Sequence, residues 1–514
     1  MSRKRSALCR PPVKNFLFLC ALFFTNHDKD VSPLQIFSLL FFVFFAAVFA
    51  VYWCAPRSFR LPVLLLASCA FYAPFGAGFL LLLLAMGMLA WGGALLLEKR
   101  RTKPVLAAVL LVCLAPLLLF KYFNFFSDSL AALSGILHLS FSPLYLQWGA
   151  PAGISYYTFL MVSYLVDVYR KKCAAERNAL LCVTSFSLFL QITAGPLTRP
   201  RDLLPQLNTP RSFDTKQAIG GAQLAAFGLF KKLALAQTIS AFAEPVFYDP
   251  QKLHGMSIII AVFLYAVQIY ADFSGYTDVV RGLGRMLGFE LCENFRSPYF
   301  SQSIKEFWAR WHISLSSWLK DYVYIPLGGS RVCKARHLLN LFLTFVVSGL
   351  WHGAAVPMLL WGCVHGLYMM VGTLTRPVRE RIWGSAPGPL LRLRAPLATL
   401  VTFLLVCFSW IFFACSTTDN IIYILTHLFY DFEPTVSYVK ESIVLLGLTP
   451  SACVRIAAMV LAVAAVDWFK RQEDYAAWMA RQKGWVQVCI SYIWMAGIIL
   501  WGSLGAGSTM YFAF

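Results

Sequence analysis

The sequence predicts an all-α protein that crosses a membrane many times, and two observations support this. Hydrophobic residues make up 59% of the 514 residues and charged residues only 13%, whereas an average soluble domain is about 25% charged. So few charges cannot cover the water-facing surface of a soluble chain of this length. Apolar runs close to the roughly 20 residues that cross a bilayer as a helix also follow one another from residue 35 onward. We therefore exclude a soluble multidomain protein.

These runs predict about 11–13 transmembrane or re-entrant helices. In chain order they cover residues 35–54, 61–75, 77–97, 104–122, 152–169, 179–195, 217–236, 256–280, 338–351, 354–374, 396–415, 451–469 and 485–502. Several are short or interrupted by glycine and proline, as at 194–196 and 349–353. Irregular backbone at membrane depth is tolerated only where protein buries it or where it lines a wet cavity. The sequence therefore predicts a helical bundle with a hollow centre.

We predict that residues 1–31 form an N-terminal extension outside this bundle. Arg3, Lys4 and Arg5 precede a short apolar run, as in a signal peptide, but no small-x-small cleavage site follows before the next apolar run. We expect residues 32–514 to form a single transmembrane domain.

Basic residues outnumber acidic ones by 44 to 24, which gives a net charge of +20. They form short clusters between apolar runs, at 99–101, 170–172, 231–232, 376–381 and 470–471. Cytoplasmic loops of membrane proteins carry such clusters, whereas a nucleic-acid-binding protein would need longer basic tracts. The pattern predicts a multi-pass protein of the cytoplasmic (inner) membrane, with lipid head groups and an anionic substrate as partners. The 14 cysteines show no metal-ligand spacing and no disulfide framework.

The first polar cluster follows the apolar run that ends at Ile269. It contains Asp272, Asp278, Arg281 and Arg285, and ionisable groups inside a membrane are costly enough to be functional candidates. Asp272 is therefore a candidate for substrate binding. On a helix, Asp278 and Arg281 are also neighbours three residues apart. A helix that leaves the membrane with paired charges is an equally good interpretation.

The second cluster spans residues 305–321 and predicts one amphipathic helix at the membrane interface. Trp308, Trp311, Leu315 and Trp318 share an apolar face at helical spacing. His312 lies within this stretch and is a candidate catalytic residue. The alternative is a histidine that only bonds neighbouring carbonyls.

The third cluster centres on Trp351, His352 and Gly353, with His365 further along. The glycines on either side of Trp351-His352 let backbone or substrate approach closely. A buried histidine stays neutral, which is the form that a general base needs. His352 is thus a candidate base, although a histidine bonded to a helix carbonyl is the alternative. The chain lacks the nucleophile elbow G-x-S-x-G, the Walker A motif and the H-E-x-x-H motif, which favours direct attack by an acceptor hydroxyl.

Several ordered motifs resemble those of the membrane-bound O-acyltransferase family, in its alginate and peptidoglycan O-acetyltransferase branch. The resemblance runs from about residue 37 to the C-terminus. Its motifs lie at 153–159, 194–199, 272–278, 285–289, 293–299, 306–329, 349–354, 361–366 and 511–514. It implies a ring of transmembrane helices around a central tunnel, with His352 as the catalytic histidine and His312 as a second functional one. Ser330, Arg296 and the N-terminal extension depart from the family pattern, which bears on acceptor choice.

The resemblance implies that an acyl group, expected to be acetyl, moves from a cytoplasmic acyl-CoA to a hydroxyl outside the cytoplasm. Acetyl-CoA is then a donor substrate, and no permanently bound cofactor is expected. The acceptor is a polysaccharide or a separate extracytoplasmic acyltransferase. Backbone N–H groups near Gly349 and Gly353 are expected to stabilise the oxyanion. A transporter or flippase of a lipid-linked saccharide, or an inactive scaffold, are the alternatives.

We assign the remaining candidates by chemistry. Cationic loops are expected to hold the CoA phosphates through Arg199, Lys231, Lys232, Lys320 and Arg331. The candidates for substrate binding are Asp272, Ser316, Trp351, Arg310 and His365.

Overall fold

The computed structural model describes residues 36–502 except 140, 386 and 434, and all regular structure in that part of the chain is helical. Numbered in chain order, the α-helices are α1 (Leu39–Cys54), α2 (Arg60–Tyr72), α3 (Ala77–Lys99), α4 (Lys103–Leu117), α5 (Phe123–Ile136), α6 (Ile154–Tyr169), α7 (Ala179–Ser187), α8 (Pro200–Asn208), α9 (Thr215–Leu229), α10 (Gln237–Tyr248), α11 (Met256–Met286), α12 (Ile304–Arg310), α13 (Ile313–Leu319), α14 (Lys334–His352), α15 (Val356–Leu374), α16 (Arg376–Gly384), α17 (Gly388–Ala414), α18 (Thr418–His427), α19 (Val436–Leu445), α20 (Pro450–Phe469), α21 (Tyr475–Ala480) and α22 (Gly484–Trp501). The predicted extension over residues 1–31 lies outside the described residues.

Nine helical runs within the described residues are long and apolar enough to cross a membrane. They are Arg57–Phe75, Ala77–Lys99, Lys103–Ile136, Thr215–Tyr248, Met256–Met286, Val356–Leu374, Leu390–Ala414, Pro450–Phe469 and Gly484–Trp501. Helix α1 is apolar but shorter. The prediction of an all-α, multi-pass membrane protein is therefore confirmed, whereas the ring and its tunnel stay predictions.

Two examples show how predicted spans differ from the observed helices. The run at 179–195 is helical only as far as Ser187, and buried turns follow it. A Cβ on Gly195 would lie 2.4 Å from the Cα of Gln191, so this segment folds back closely on itself. The run at 104–122 instead continues through π-helical turns at Leu118–Tyr122 into α5. Hydropathy marked the apolar content of both segments but not where each helix ends.

The chain forms two compact units, each built from several separate segments. The first contains the described residues of 36–120, 146–221 and 283–291. In it, α3 packs on α6 and α7, and Gly93 of α3 permits close packing against α4, because a Cβ there would lie 2.4 Å from the side chain of Val109. The buried carboxylate of Asp167 on α6 pairs with Arg201 at 3.2 Å.

The second unit comprises the described residues of 121–145, 222–282 and 292–502. Helices α9 and α11 cross within it at two facing glycines: a Cβ on Gly228 would lie 2.6 Å from the carbonyl oxygen of Gly275, and one on Gly275 would lie 2.7 Å from that of Gly228. Small residues at such a crossing let the two backbones approach closely, as is common between membrane helices. All three histidine candidates lie in this unit.

Candidate active site

Helices α14 and α15 form a tightly packed hairpin that carries two of the three candidate histidines. A Cβ on Gly349 would lie 2.3 Å from the carbonyl oxygen of Met358, and one on Gly362 would lie 2.5 Å from that of Phe345. Glycine at both positions therefore brings the helices into backbone contact. This contact places Trp361 of α15 beside the C-terminal end of α14.

His352 is the last residue of α14 and is 5% exposed. Its ring centroid lies 4.9 Å from that of Trp351, 5.0 Å from that of Trp361 and 5.3 Å from that of Phe413. Aromatic rings thus surround the imidazole on several sides. The N–H of Gly353, a predicted oxyanion donor, donates instead to the carbonyl of Gly349 at 3.2 Å.

His312 lies between two short helices, so the prediction of one helix over 305–321 is wrong. Helix α12 ends at Arg310, α13 begins at Ile313, and His312 itself has left-handed backbone angles (φ 42°, ψ 53°). Asn294 supports this break, because its carbonyl oxygen accepts from the N–H of Ile313 at 3.0 Å. Its side-chain oxygen accepts from the N–H of the next residue at 3.2 Å. The aromatic spacing was helical, but these contacts interrupt the helix.

The two histidines predicted as catalytic do lie close together. Their ring centroids are 6.4 Å apart, and His312 also lies 5.9 Å from the ring of Trp351 and 4.8 Å from that of Phe273. Two hydrogen bonds of about 3 Å each to one shared atom would span a comparable distance. Burial lowers the pKa of His312 to about 3, so its imidazole is neutral at physiological pH. The pair can therefore act on one small reacting group.

Asp272, Lys231 and Lys232 belong to a buried ion-pair network. Lys232 pairs with Asp272, while the ammonium of Lys231 lies 2.6 Å from Asp278 and donates to Ser274 at 2.9 Å. Both lysines lie in the π-helical segment Phe230–Ala236, inside a membrane-length helical run. Their placement in a cytoplasmic loop is therefore wrong. The carboxylates of α11 compensate the two buried charges, which is how buried ions are accommodated.

Three other candidates take part in packing contacts. The guanidinium of Arg310 pairs with Glu306 at 2.9 Å and donates to the carbonyl of Arg471 at 3.0 Å. The Ser316 hydroxyl donates to the carbonyl of Trp311 at 3.2 Å. His365 is fully buried, and its Nδ1 accepts from the indole N–H of Trp308 at 3.2 Å. Their roles in substrate binding stay predictions.

The remaining predicted phosphate contacts are spread over different elements. Lys320 and Arg331 are exposed on the segment between α13 and α14, and Arg199 is buried at the start of α8 in the first unit. Their role in CoA binding also stays a prediction. Among the described residues, no group of three or more His, Cys, Asp or Glu side chains is arranged to hold a metal ion.

Sequence reasoning missed two side chains that contact the end of α14. The Lys121 ammonium donates to the carbonyl of Trp351 at 2.6 Å, and the Tyr122 hydroxyl donates to that of Leu350 at 2.9 Å. An available signal was a lysine inside the apolar run 104–122, since ionisable groups within membrane helices are functional candidates.

Comparison with known proteins gives a consistent result. Residues 16–418 match the model of the membrane-bound O-acyltransferase family. The chain is 37% identical over 382 residues to the probable alginate O-acetylase AlgI of Pseudomonas aeruginosa, covering 73% of this chain and 71% of that protein. It is 30% identical to the peptidoglycan O-acetyltransferase of Helicobacter pylori, covering 77% and 80%. The teichoic acid D-alanyltransferase of Bacillus subtilis is 28% identical, covering 51% and 68%.

Proposed function

The chain belongs to the membrane-bound O-acyltransferase family and is an O-acyltransferase. We propose that it transfers an acetyl group from a cytoplasmic acetyl-CoA to a hydroxyl outside the cytoplasm. The observation that carries this proposal is the pairing of His352 with His312 at 6.4 Å between ring centroids. A buried imidazole pair suits a reaction in which the acceptor oxygen itself attacks the acyl carbon.

In the proposed reaction, His352 acts as the general base. The acceptor hydroxyl attacks the thioester carbonyl while the imidazole takes its proton, which gives a tetrahedral intermediate. The C–S bond then breaks, the thiolate of CoA leaves, and the imidazolium returns the proton to the sulfur. The product is an ester, and the histidine ends each cycle neutral.

His312 is proposed to orient the acyl group and to stabilise the charge on its oxygen. Burial keeps the His312 imidazole neutral. A neutral imidazole carries a proton on one ring nitrogen, and that nitrogen can donate a hydrogen bond. Stabilisation of a developing oxyanion by such donors is commonly the largest contribution to acyl-transfer catalysis. The enclosing rings of Trp351 and Phe273 would strengthen this interaction, because they exclude water.

We propose a glycan, or an extracytoplasmic acyltransferase that passes the group to a glycan, as the acceptor. Two relatives are named for acetylation of alginate and of peptidoglycan, which are both glycans with free hydroxyls. We propose the cytoplasmic membrane as the location of the protein, because a cytoplasmic donor and an external acceptor can both be reached there.

The proposal is tested with His352→Ala in membranes supplied with radiolabelled acetyl-CoA, with alginate and peptidoglycan offered in parallel. Loss of a general base typically costs about 10²–10⁴-fold in rate, and we expect a fall of that order. The matched control is His337→Ala, a half-buried histidine in the first turn of the same helix, which should keep wild-type transfer. Undiminished transfer by His352→Ala would remove this residue from the reaction.

A further inference from the structure

The C-terminal end of α14 is held by contacts outside its own helix. The last four carbonyls of an α-helix have no intrahelical partner. In α14 the first of these, Gly349, accepts from the N–H of Gly353 at 3.2 Å. The Tyr122 hydroxyl donates to Leu350 at 2.9 Å, and the Lys121 ammonium donates to Trp351 at 2.6 Å and reaches the carbonyl of His352 at 3.4 Å. All four carbonyls are therefore satisfied, three of them by two consecutive side chains.

The local helix geometry explains how consecutive side chains reach one target. Lys121 and Tyr122 end the π-helical turns Leu118–Tyr122, which follow Pro116 inside the helical run. Proline lacks the N–H that an α-helix needs at that position. A π turn also rotates less per residue than an α turn, because its hydrogen bonds connect residues five apart. Neighbouring side chains therefore diverge less and both point at the end of α14.

The charge of Lys121 suits its place. A helix C-terminus carries partial negative charge, so a cation is stabilised there. The ammonium also lies 5.9 Å from the centroid of the Trp351 ring, within the range of a cation–π contact. Lys121 thus holds both the backbone and the side chain of the residue that precedes His352.

We propose that Lys121 and Tyr122 are positioning residues that set the orientation of the His352 imidazole. The inference deepens the proposed function and rests on the role of His352 given above. His352 ends its helix and the extended residue Gly353 follows it, so the helix does not continue past the imidazole to restrain it. The two donors instead restrain the backbone at residues 350–352, from which the imidazole extends into its aromatic surroundings. A displacement of about 1 Å in a reacting group can cost on the order of 100-fold in rate. Replacing Lys121 or Tyr122 should therefore lower kcat.

The test compares Lys121→Met, Lys121→Arg and Tyr122→Phe with the wild-type full-length protein in membranes, using radiolabelled acetyl-CoA and alginate or peptidoglycan as acceptor. We expect Lys121→Met to lower kcat by about 10- to 100-fold with the KM for acetyl-CoA within about threefold. Lys121→Arg keeps a charged donor and should recover part of that loss. Tyr122→Phe removes one hydrogen bond and should lower kcat by about 2- to 10-fold. The control Lys103→Met removes an exposed charge from the start of the same helical run and should leave kcat unchanged.

Thermal midpoints in detergent separate positioning from folding. The proposal would be overturned if Lys121→Met had a near-wild-type melting temperature and an unchanged kcat. It would also be overturned if the substitution raised only the KM for acetyl-CoA. If Lys121→Met does not fold, Tyr122→Phe becomes the test of the proposal. A folded Tyr122→Phe with wild-type kcat would then contradict the positioning role. His352→Ala is measured alongside. Full transfer by His352→Ala sinks the proposed function itself, whereas a slow His352→Ala with a fast, folded Lys121→Met sinks only the positioning role.

Discussion

At the scale of single residues, the backbone of His312 is as informative as its ring. Left-handed backbone angles are uncommon for residues other than glycine, and asparagine, aspartate and histidine tolerate them best. Strained residues of this kind persist where surrounding contacts hold them, and they cluster at functional sites. Here Asn294 supplies those contacts on the C-terminal side of His312. In this conformation the His312 ring lies 6.4 Å from that of His352, between centroids.

This conformation makes asparagine the informative substitute for His312. Asparagine tolerates the same backbone angles, so His312→Asn removes the imidazole with little backbone cost. We expect kcat for acetyl transfer to fall by about 100- to 1,000-fold, the range for loss of one oxyanion donor, with a thermal midpoint close to wild type. Transfer of radiolabelled acetyl groups in membranes measures kcat, and melting in detergent measures the thermal midpoint. His337→Asn, on α14, is the control, and equal rates for the two variants would contradict a role for His312.

At the scale of elements, the α14–α15 hairpin depends on the absence of side chains where the helices touch. In Gly362→Ala the new Cβ would lie 2.5 Å from the carbonyl oxygen of Phe345, so the helices must separate. Overpacking of this kind costs about 1–3 kcal/mol. We expect a lower thermal midpoint together with reduced acetyl transfer, because Trp361 moves relative to His352.

Gly372 provides a matched control on the same helix. A Cβ there meets nothing within 4 Å, and alanine in a helix interior is about 0.5–1 kcal/mol more favourable than glycine. Gly372→Ala should therefore raise the melting temperature slightly and leave transfer unchanged. A melting temperature for Gly362→Ala that matches that of Gly372→Ala would show that the close contact does not limit stability.

The ion pairs between the Phe230–Ala236 segment and α11 give a second prediction at this scale. Removing one partner of a buried pair leaves an uncompensated charge and costs about 3–5 kcal/mol. We expect Lys232→Met to destabilise the protein to that extent, since it leaves Asp272 unpaired. Lys232→Met/Asp272→Leu should recover part of the loss, because no isolated charge remains. Thermal unfolding in detergent measures the stability of the single and the double variant. The control is Lys216→Met, at an exposed lysine of α9.

Two outcomes would contradict this interpretation of the ion pairs. A wild-type melting temperature for Lys232→Met would show that the pair contributes nothing to stability. Normal stability combined with a raised KM for acetyl-CoA would instead support the sequence-based expectation that Lys232 contacts the donor.

At the scale of the whole molecule, the proposed reaction has a direction across the membrane. Acetyl-CoA is charged and does not cross a bilayer, so the side to which it is added is under experimental control. We expect sealed inside-out vesicles to transfer label from added acetyl-CoA, and sealed right-side-out vesicles to do so only after permeabilisation. Vesicles that contain His352→Ala give the background. Equal rates in both sealed preparations would contradict a cytoplasmic donor.

Prediction from sequence succeeded where the signal was local and chemical. The apolar runs identified most of the long helices, and the polar interruptions drew attention to His312 and His352, which the structure brings together. It failed where the answer depended on partners distant in the chain. Lys231 and Lys232 resembled loop cations because nothing in the neighbouring sequence shows the carboxylates on α11 that compensate them. The break at His312 was hidden for the same reason, since Asn294 lies outside the helical pattern.

Composition, hydropathy and motif order are properties of the chain alone, and they identified a helical membrane protein of the membrane-bound O-acyltransferase family. Which polar groups lie near one another became visible only in the folded protein. The fold placed His312 beside His352, paired the buried lysines with aspartates, and brought Lys121 and Tyr122 to the end of α14. Buried polar groups must be hydrogen-bonded or paired, and the partners available to each group depend on how the helices pack, not on spacing along the chain.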